Sequence, residues 1–287
     1  MKMPYSYNTI DEFCVGFDFQ REWIEGQGIL LVFAFYLSGV GGGLFLTSLL
    51  VGWKTGLLAG MAIVAIGSGG AFLLHMGRPL RFWRVFWRPQ SSWLSRGTYF
   101  IFLYIIFGLA YYLIGGMALM AIAAFFAFCL IIYSGFAMAV SPAIPFWNNP
   151  LLPMVFVSSA LWGGTSLAEV VHSFLPEIAL DVEVLGVWGF WLGVIAVVFL
   201  YTYLTINYYS NIAAKEAVLF LVTGRFSVLF YTGVVGLGLL IPLAILTLSY
   251  FGKVKLFLLA VAGISELVGS FVLRYSLLKA GMYPPVA

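Results

Sequence analysis

The sequence predicts an all-α integral membrane protein with eight transmembrane helices. Of its 287 residues, 63% are hydrophobic and only 9% are charged, whereas soluble domains carry about 25% charged residues. The apolar runs are close to the ~20 residues that a helix needs to cross the hydrocarbon layer. Helices satisfy their backbone hydrogen bonds internally, as a membrane span must. This composition excludes a soluble enzyme, and no feature of the chain suggests nucleic-acid binding.

Hydropathy places the predicted spans at residues 28–50, 56–76, 97–115, 117–140, 151–173, 184–207, 226–249 and 254–279. An even number of spans puts both termini on one side of the membrane, called face A here. The opposite side is face B. No signal peptide is expected, because the first 27 residues are polar and acidic and lack a basic start with a short apolar core.

A weak internal repeat suggests how the spans are grouped. Residues 38–43 (Ser-Gly-Val-Gly-Gly-Gly) align with residues 159–164 (Ser-Ala-Leu-Trp-Gly-Gly). Such patches of small residues let helices approach closely in lipid. Many unrelated transmembrane helices share this composition; alternatively, the match marks two four-helix bundles in the same orientation. The predicted organisation is a polar N-terminal segment (1–27), a first bundle (28–140, with an amphipathic loop at 77–96) and a second bundle (141–287).

Basic residues are distributed unevenly between the two faces. Face A carries eleven of the fourteen Lys and Arg residues, and face B carries Lys54, Lys253 and Lys255. By the positive-inside rule, face A would lie in the cytoplasm. Five of the eleven belong to the single loop 77–96, however, and a loop with its own function would weaken that inference.

The loop after His75 combines arginines with aromatic residues. As a helix from Arg78 to Arg88, it would carry the arginines at 78, 81, 84 and 88 on one face. The opposite face would carry Phe82, Trp83, Phe86 and Trp87. This pattern is typical of a helix lying at the membrane interface, among lipid headgroups. The alternative is a docking platform for a soluble partner.

The two histidines lie at opposite ends of their spans, which excludes one haem between them. His75 ends the second span on face A, and His172 lies near the end of the fifth span on face B. A membrane thickness of ~30 Å separates them. Cys14 and Cys129 are far apart and fit no metal-binding spacing, so we expect neither haem nor metal in this chain.

Ionisable residues inside spans indicate function, because they are costly there. Glu169 and His172 lie one turn apart on one helix face, near enough to face B for their polar ends to reach water. Glu266 lies near the middle of the eighth span, and Arg274 follows two turns later. Together they predict either a proton- or ion-translocating relay or an interhelical clamp.

A different group of polar residues is predicted to gather near face A: Gln27, His75, Arg78, Tyr133, Asn148 and Asn149. A histidine beside a hydroxyl and amides near a membrane surface is suitable for a quinone headgroup. The two carbonyl oxygens of a quinone need hydrogen-bond donors, and quinol oxidation needs a base that titrates near neutral pH. The alternative is that His75 and Tyr133 are interfacial anchors.

Several segments together resemble one known family. They are HMGRPLRF followed by SSWLSRG, then YSGFAMAVSPAIPFWNNPLLPMVFVSSAL, and finally GISELVGSFVLRYSLLKAG. In this order, they make most of the chain similar to the polysulfide-reductase membrane subunit family of the NrfD/PsrC type. The combination of segments is specific, whereas any one of them alone would not be.

The resemblance implies an eight-helix, haem-free subunit of two four-helix bundles in the cytoplasmic membrane of a prokaryote. Such a subunit exchanges electrons between menaquinone or ubiquinone and a four-cluster ferredoxin-like iron–sulfur subunit. A molybdopterin subunit reduces the terminal substrate. Many relatives hold the partner outside the cytoplasm, so face A would be extracytoplasmic, against the charge count. The arginines Arg81, Arg84, Arg88 and Arg96 would then serve partner docking.

The resemblance also implies roles for individual residues. Tyr133 matches the tyrosine of the family's quinone pocket, and the position of His75 favours it as the proton acceptor. The chain departs from the family pattern in the first span. Polar pocket residues of the family align there with apolar positions near Leu31 and Ala34, and Gln27 or Tyr36 can substitute.

Overall fold

The computed structural model describes residues 17–87, 89–90, 92–178, 180–252 and 255–284. Within this part of the chain, eight helices are long and apolar enough to cross a membrane. They are numbered here as spans 1 to 8: Gly26–Leu50, Lys54–His75, Trp93–Ile114, Met117–Ala139, Leu152–Phe174, Val182–Ser210, Ser227–Phe251 and Leu256–Lys279. Every predicted span lies within a few residues of an observed helix. The prediction of an all-α, eight-span membrane protein is therefore confirmed.

Polar caps and glycines set where the helices begin and turn. Asp181 accepts a hydrogen bond from the Val184 amide at the start of span 6, and such a cap satisfies an otherwise unpaired donor. Asn211 caps a short helix, Ile212–Val222, in the same way. The tight turn between spans 3 and 4 uses Gly115 and Gly116, whose φ angles of 77° and 95° favour glycine.

Both ends of the described chain meet on face A. Strand β1 (Asp18–Phe19) pairs antiparallel with strand β2 (Met282–Tyr283). The buried Gln20 amide donates to the Leu278 carbonyl over 2.6 Å, at the end of span 8. Helix ends leave such carbonyls without partners. The prediction that both ends lie on one side is therefore confirmed for residues 17–284.

Spans 1 and 5 cross in close contact, and the two small-residue patches meet there. Gly39 lies against Ala160, and Gly43 lies against the backbone of Gly164. Thr47 and Thr165 hydroxyls are 3.1 Å apart and hydrogen-bonded. Position 39 aligns with 160, and position 43 aligns with 164, so equivalent positions of the repeat face each other. The division into two four-helix bundles stays a prediction.

Two spans contain π-helical segments, which widen a helix locally. Ile63–Ser68 forms one inside span 2, and Phe230–Leu240 forms a longer one inside span 7. Gly238, in the second segment, packs directly on Gly269 of span 8. The wall that span 7 presents to its neighbours is therefore irregular.

The predicted α-helix from Arg78 to Arg88 is wrong in type. Residues Pro79–Trp87 form a 3-10 helix, and the Arg81 amide donates to the Arg78 carbonyl three residues earlier. The spacing of three residues between the arginines at 78, 81 and 84 fits a 3-10 helix as well as an α-helix. With three residues per turn, Trp87 falls on the side of Arg78, Arg81 and Arg84 rather than opposite. Arg88 lies outside the described residues.

Candidate functional site

His75 and Gln27 come together on face A, and we call them the face A pair. The Nδ1 atom of His75 lies 3.0 Å from the Gln27 backbone oxygen. A carbonyl oxygen only accepts hydrogen bonds, so Nδ1 carries the proton and donates it. In the neutral ring, Nε2 is then left as the acceptor. The fold thus presents one basic nitrogen at the membrane surface.

The chain turns sharply beside this pair. Gly77 has a φ of 62°, a conformation that favours glycine, and it faces the side-chain oxygen of Gln27. The side chains of Gln27 and Arg78 are exposed here, whereas His75 is half-buried. The structure therefore brings three of the predicted quinone-site residues to one place.

Tyr133 lies deeper, inside span 4. Only 3% of its surface is exposed. Its ring packs on Gly97 of span 3, where any side chain would collide with it, and it meets Phe100 at a centroid distance of 6.4 Å. Phe72, one turn before His75, belongs to the same buried apolar cluster as Tyr133. Span 2, which ends at His75, thus contributes to the buried core around Tyr133.

Asn148 is exposed in the loop between spans 4 and 5, whereas its neighbour Asn149 is buried and accepts a hydrogen bond from the Leu151 amide. The same loop is fixed against the second half of the chain, because the Trp147 indole donates to the Leu277 carbonyl over 2.8 Å. Tyr36, the predicted substitute in span 1, donates its hydroxyl to the Leu267 carbonyl of span 8.

The arginines of the 77–96 loop have different environments. Arg81 and Arg84 are exposed, and Arg84 lies beside the Trp83 ring. Arg96 instead holds its own loop: it donates to the carbonyls of Pro89 and Gln90 and stacks over Trp93. Arg81 and Arg84 thus lie at the surface, whereas Arg96 fixes the local backbone.

A second group of polar residues is buried between spans 5 and 8. We call it the polar seam and define it as Ser159, Trp162, Ser166 and Glu169 of span 5 with Glu266, Ser270 and Arg274 of span 8. Glu169, Glu266 and Arg274 are exposed by only 3%, 1% and 1%. The Ser270 hydroxyl donates to the Leu267 carbonyl over 3.3 Å, and Glu266 Oε2 has no hydrogen-bond partner among the described residues. The sequence predicted only the charged members of this group.

The expectation that Glu169 reaches water at face B is wrong. Its carboxylate points toward Gly189 of span 6, and neither oxygen has a hydrogen-bond partner among the described residues. Close packing of span 6 against span 5 closes the route to the surface. His172, one turn further, is half-buried, and its Nδ1 donates to the Ile178 carbonyl over 2.9 Å.

Arg274 is held by aromatic rings rather than by a direct ion pair. Its guanidinium carbon lies 5.7 Å from the Tyr36 ring centre and 5.5 Å from that of Phe156. Cation–π contacts of this kind strengthen when they are desolvated. One nitrogen also donates to the Ser270 carbonyl over 3.1 Å. Among the described residues, one ion pair is found, between Lys279 Nζ and Glu25 Oε1 at 3.7 Å, and it does not involve Arg274.

A cavity opens beside the seam between spans 5, 6, 7 and 8. Its volume is about 20 Å³, which is room for a single water-sized molecule. Its polar lining comes from Ser158, Ser159, Trp162, Glu266 and Ser270. In the described part of the chain, no three His, Cys, Asp or Glu side chains gather as metal ligands would.

The spans, the face A pair and the polar seam define a multi-pass helical membrane protein. A family model described as "Polysulphide reductase, NrfD" matches residues 115–285. The chain belongs to this family. The matched region holds Tyr133 and the whole polar seam, whereas His75 and the arginine loop precede it.

Two relatives extend the similarity. The protein named "Protein NrfD" of Escherichia coli K12 is 29% identical over 158 residues, which cover 52% of this chain and 48% of that protein. The chain thus matches about half the length of this relative. The C chain of polysulfide reductase from Wolinella succinogenes is 25% identical over 288 aligned positions, covering 86% of this chain and 91% of that protein.

Proposed function

We propose that this chain is the quinone-binding membrane anchor of a multi-subunit respiratory oxidoreductase. It passes electrons between menaquinone or ubiquinone in the bilayer and an iron–sulfur subunit docked on face A. A molybdopterin subunit completes the complex and acts on the terminal substrate. Support comes from the family and from the Wolinella succinogenes relative, whose name designates it as one chain of a polysulfide reductase. The observation that carries the proposal is the His75–Gln27 hydrogen bond, which leaves Nε2 available as a base at the membrane surface.

The residues on face A fit the chemistry of a quinone headgroup. A quinone presents two carbonyl oxygens on a flat apolar ring, and it supplies two-electron redox chemistry when bound. The Gln27 amide and the Tyr133 hydroxyl are donors suited to those oxygens. The buried cluster around Phe72 and Tyr133 offers an apolar surface, as ligand sites of this kind usually do.

His75 has the central role in this proposal. It accepts a proton at Nε2 while Nδ1–H stays on the Gln27 carbonyl, so the ring keeps its orientation throughout. Because the pair is open to face A, the imidazolium can release its proton to water there. The electrons leave toward the partner seated over Arg81 and Arg84.

We infer that face A lies outside the cytoplasm of a prokaryotic cell. Partner docking then accounts for the basic residues of the 77–96 loop, which would otherwise indicate a cytoplasmic face.

Substitutions of the two central residues test the site. In the purified complex, His75→Ala and Tyr133→Phe are each expected to lower quinol-linked turnover by about 10²-fold or more, because a base or a donor is lost. Subunit composition should stay unchanged. Tyr104→Phe is the matched control, because Tyr104 is a buried tyrosine of span 3. Wild-type turnover in both site variants would contradict the assignment.

A second candidate function is favoured by the unpartnered carboxylates of the polar seam. In this case Glu169, His172 and Glu266 would form a proton- or ion-translocating relay that begins at face B. Proton uptake into liposomes during quinol turnover should fall in Glu266→Gln relative to wild type. Unchanged uptake would make the seam a structural clamp.

A further inference from the structure

The charges of the polar seam do not balance. Glu169 and Glu266 carry two negative charges when ionised, and Arg274 carries one positive charge, which leaves one negative charge. All three are buried within the spans. An uncompensated charge is costly in this environment. The seam therefore needs one additional positive charge, either a proton or a small cation.

The cavity beside Glu266 is lined by groups that select what enters it. The Trp162 indole nitrogen, the Ser159 hydroxyl and Glu266 Oε2 are buried and have no hydrogen-bond partner among the described residues, and all three residues line the cavity. An indole N–H only donates, so its partner must offer a lone pair. A water oxygen does this, whereas a metal cation would be repelled by the N–H and by nearby Arg274. Buried polar cavities of this size hold ordered water.

Arg274 and Glu169 lie on opposite sides of Glu266. On the face A side, Arg274 is fixed by the Ser270 carbonyl and by the Tyr36 and Phe156 rings. Its guanidinium also lies against Gly39 of span 1, which leaves no room for a side chain. A fixed positive charge repels a proton moving toward face A. Glu169 lies on the opposite side of Glu266, toward face B.

The titratable groups whose charges interact with Glu266 come from three helices. They are Glu169 of span 5, Tyr36 of span 1 and Arg274 of its own helix. Spans 6 and 7 contribute apolar residues to the shared cavity, among them Leu200 and Val234. The π-helical segment of span 7 forms that part of the wall, and such segments are frequent at functional sites.

We propose that the polar seam binds one exchangeable proton, which Glu266 holds beside ordered water in the cavity. This uses one carboxylate of the second candidate function but requires no net transport across the membrane. It is independent of the quinone site on face A. Trp162 and Ser159 are positioning residues that hold the water.

Infrared spectroscopy of the full-length protein in membranes tests this directly. The wild type is expected to show the carbonyl band of one protonated carboxylic acid per chain, which shifts in heavy water. Glu266→Gln should remove that band. The control Glu177→Gln changes an exposed acid on face B and should leave the band intact. A band that survives in both Glu266→Gln and Glu169→Gln would overturn the proposal.

Variants that keep both Glu169 and Glu266 test the proposal even if the Glu266→Gln protein misfolds. Trp162→Phe and Ser159→Ala should each slow hydrogen–deuterium exchange of the band by about tenfold, because a hydrogen bond to the cavity water is lost. Wild-type exchange in both would overturn the proposal. Loss of the band in sodium chloride but not in choline chloride would assign a metal cation instead and would equally overturn it. Quinol turnover, measured on the same samples, distinguishes a failure of the seam proposal from a failure of the proposed quinone site on face A.

Discussion

The face A pair and the polar seam are both groups of polar residues at membrane spans, yet they differ in how their polar atoms are satisfied. At face A, His75 is bonded to a backbone carbonyl, and Gln27 and Arg78 face water. In the seam, both oxygens of Glu169 and one of Glu266 lack partners among the described residues. The first region can exchange protons with bulk water, whereas the second must hold or share them internally.

Because of this difference, we expect substitutions in the two regions to affect different properties. A polar group open to water costs little when it is removed, so substitutions at face A should change activity alone. A buried charge that loses its compensation destabilises the fold. Substitutions in the seam should therefore affect folding first.

The largest effect is expected where spans 1 and 5 cross, because both regions depend on this contact. Gly164→Leu would push a side chain into the backbone of Gly43, and the two helices could no longer meet. We expect no folded protein in detergent extracts, measured by size-exclusion chromatography. Gly70→Leu is the matched control, since open space surrounds Gly70 in span 2. A normal elution profile of Gly164→Leu would mean that the crossing can relax.

A smaller but still large effect is expected in the seam. Arg274→Met keeps the volume and removes the charge, which leaves Glu169 and Glu266 uncompensated. We expect a loss of about 3–5 kcal/mol in the free energy of unfolding. Arg78→Met, at face A, should cost less than about 0.5 kcal/mol. Thermal unfolding of the purified variants provides the measurement.

The double variant Arg274→Met with Glu266→Gln identifies the cause of that loss. If unpaired charge is responsible, the second substitution should recover a large part of the stability. No recovery would place the cost in the lost contacts with Tyr36 and Phe156.

The smallest effect on stability is expected in the exposed loop. Arg81→Gln with Arg84→Gln should change the free energy of unfolding by less than about 0.5 kcal/mol. Electron transfer to the partner should nevertheless become slower and less sensitive to salt, because steering charges are lost. Lys215→Gln, elsewhere on face A, is the control. An unchanged salt dependence would remove this loop from the docking surface.

Hydropathy alone was enough to predict the eight spans and the shared side of the two ends. The spans follow from the length of the apolar runs. The shared side follows because each span crosses to the other face and their number is even. The helix type at 79–87 was predicted wrongly, since an arginine spacing of three residues fits a 3-10 helix as well as an α-helix. The burial of Glu169 was also missed, because it depends on how span 6 packs on span 5. The partners of Tyr36 in span 8 are likewise a tertiary property.

The sequence does contain one signal for the seam residues that were not predicted. Ser159, Trp162, Ser166 and Glu169 recur every three or four residues along span 5, as do Glu266, Ser270 and Arg274 along span 8. Each set forms one helix face. Pairing the two stripes would have predicted a polar contact between these spans. The cavity beside them depends on side-chain packing and has no comparable signal.

The pairing of β1 with β2 has a practical consequence for experiments on this molecule. Because the two ends of the described chain are hydrogen-bonded neighbours, a short linker can join them, and new ends can be opened in a loop. Such circular permutation succeeds best at exposed loops. A reporter enzyme inserted between spans 3 and 4, at Gly115 and Gly116, would then face the opposite side from one attached at the original ends. Comparing the two reporters in cells would determine which compartment each face meets.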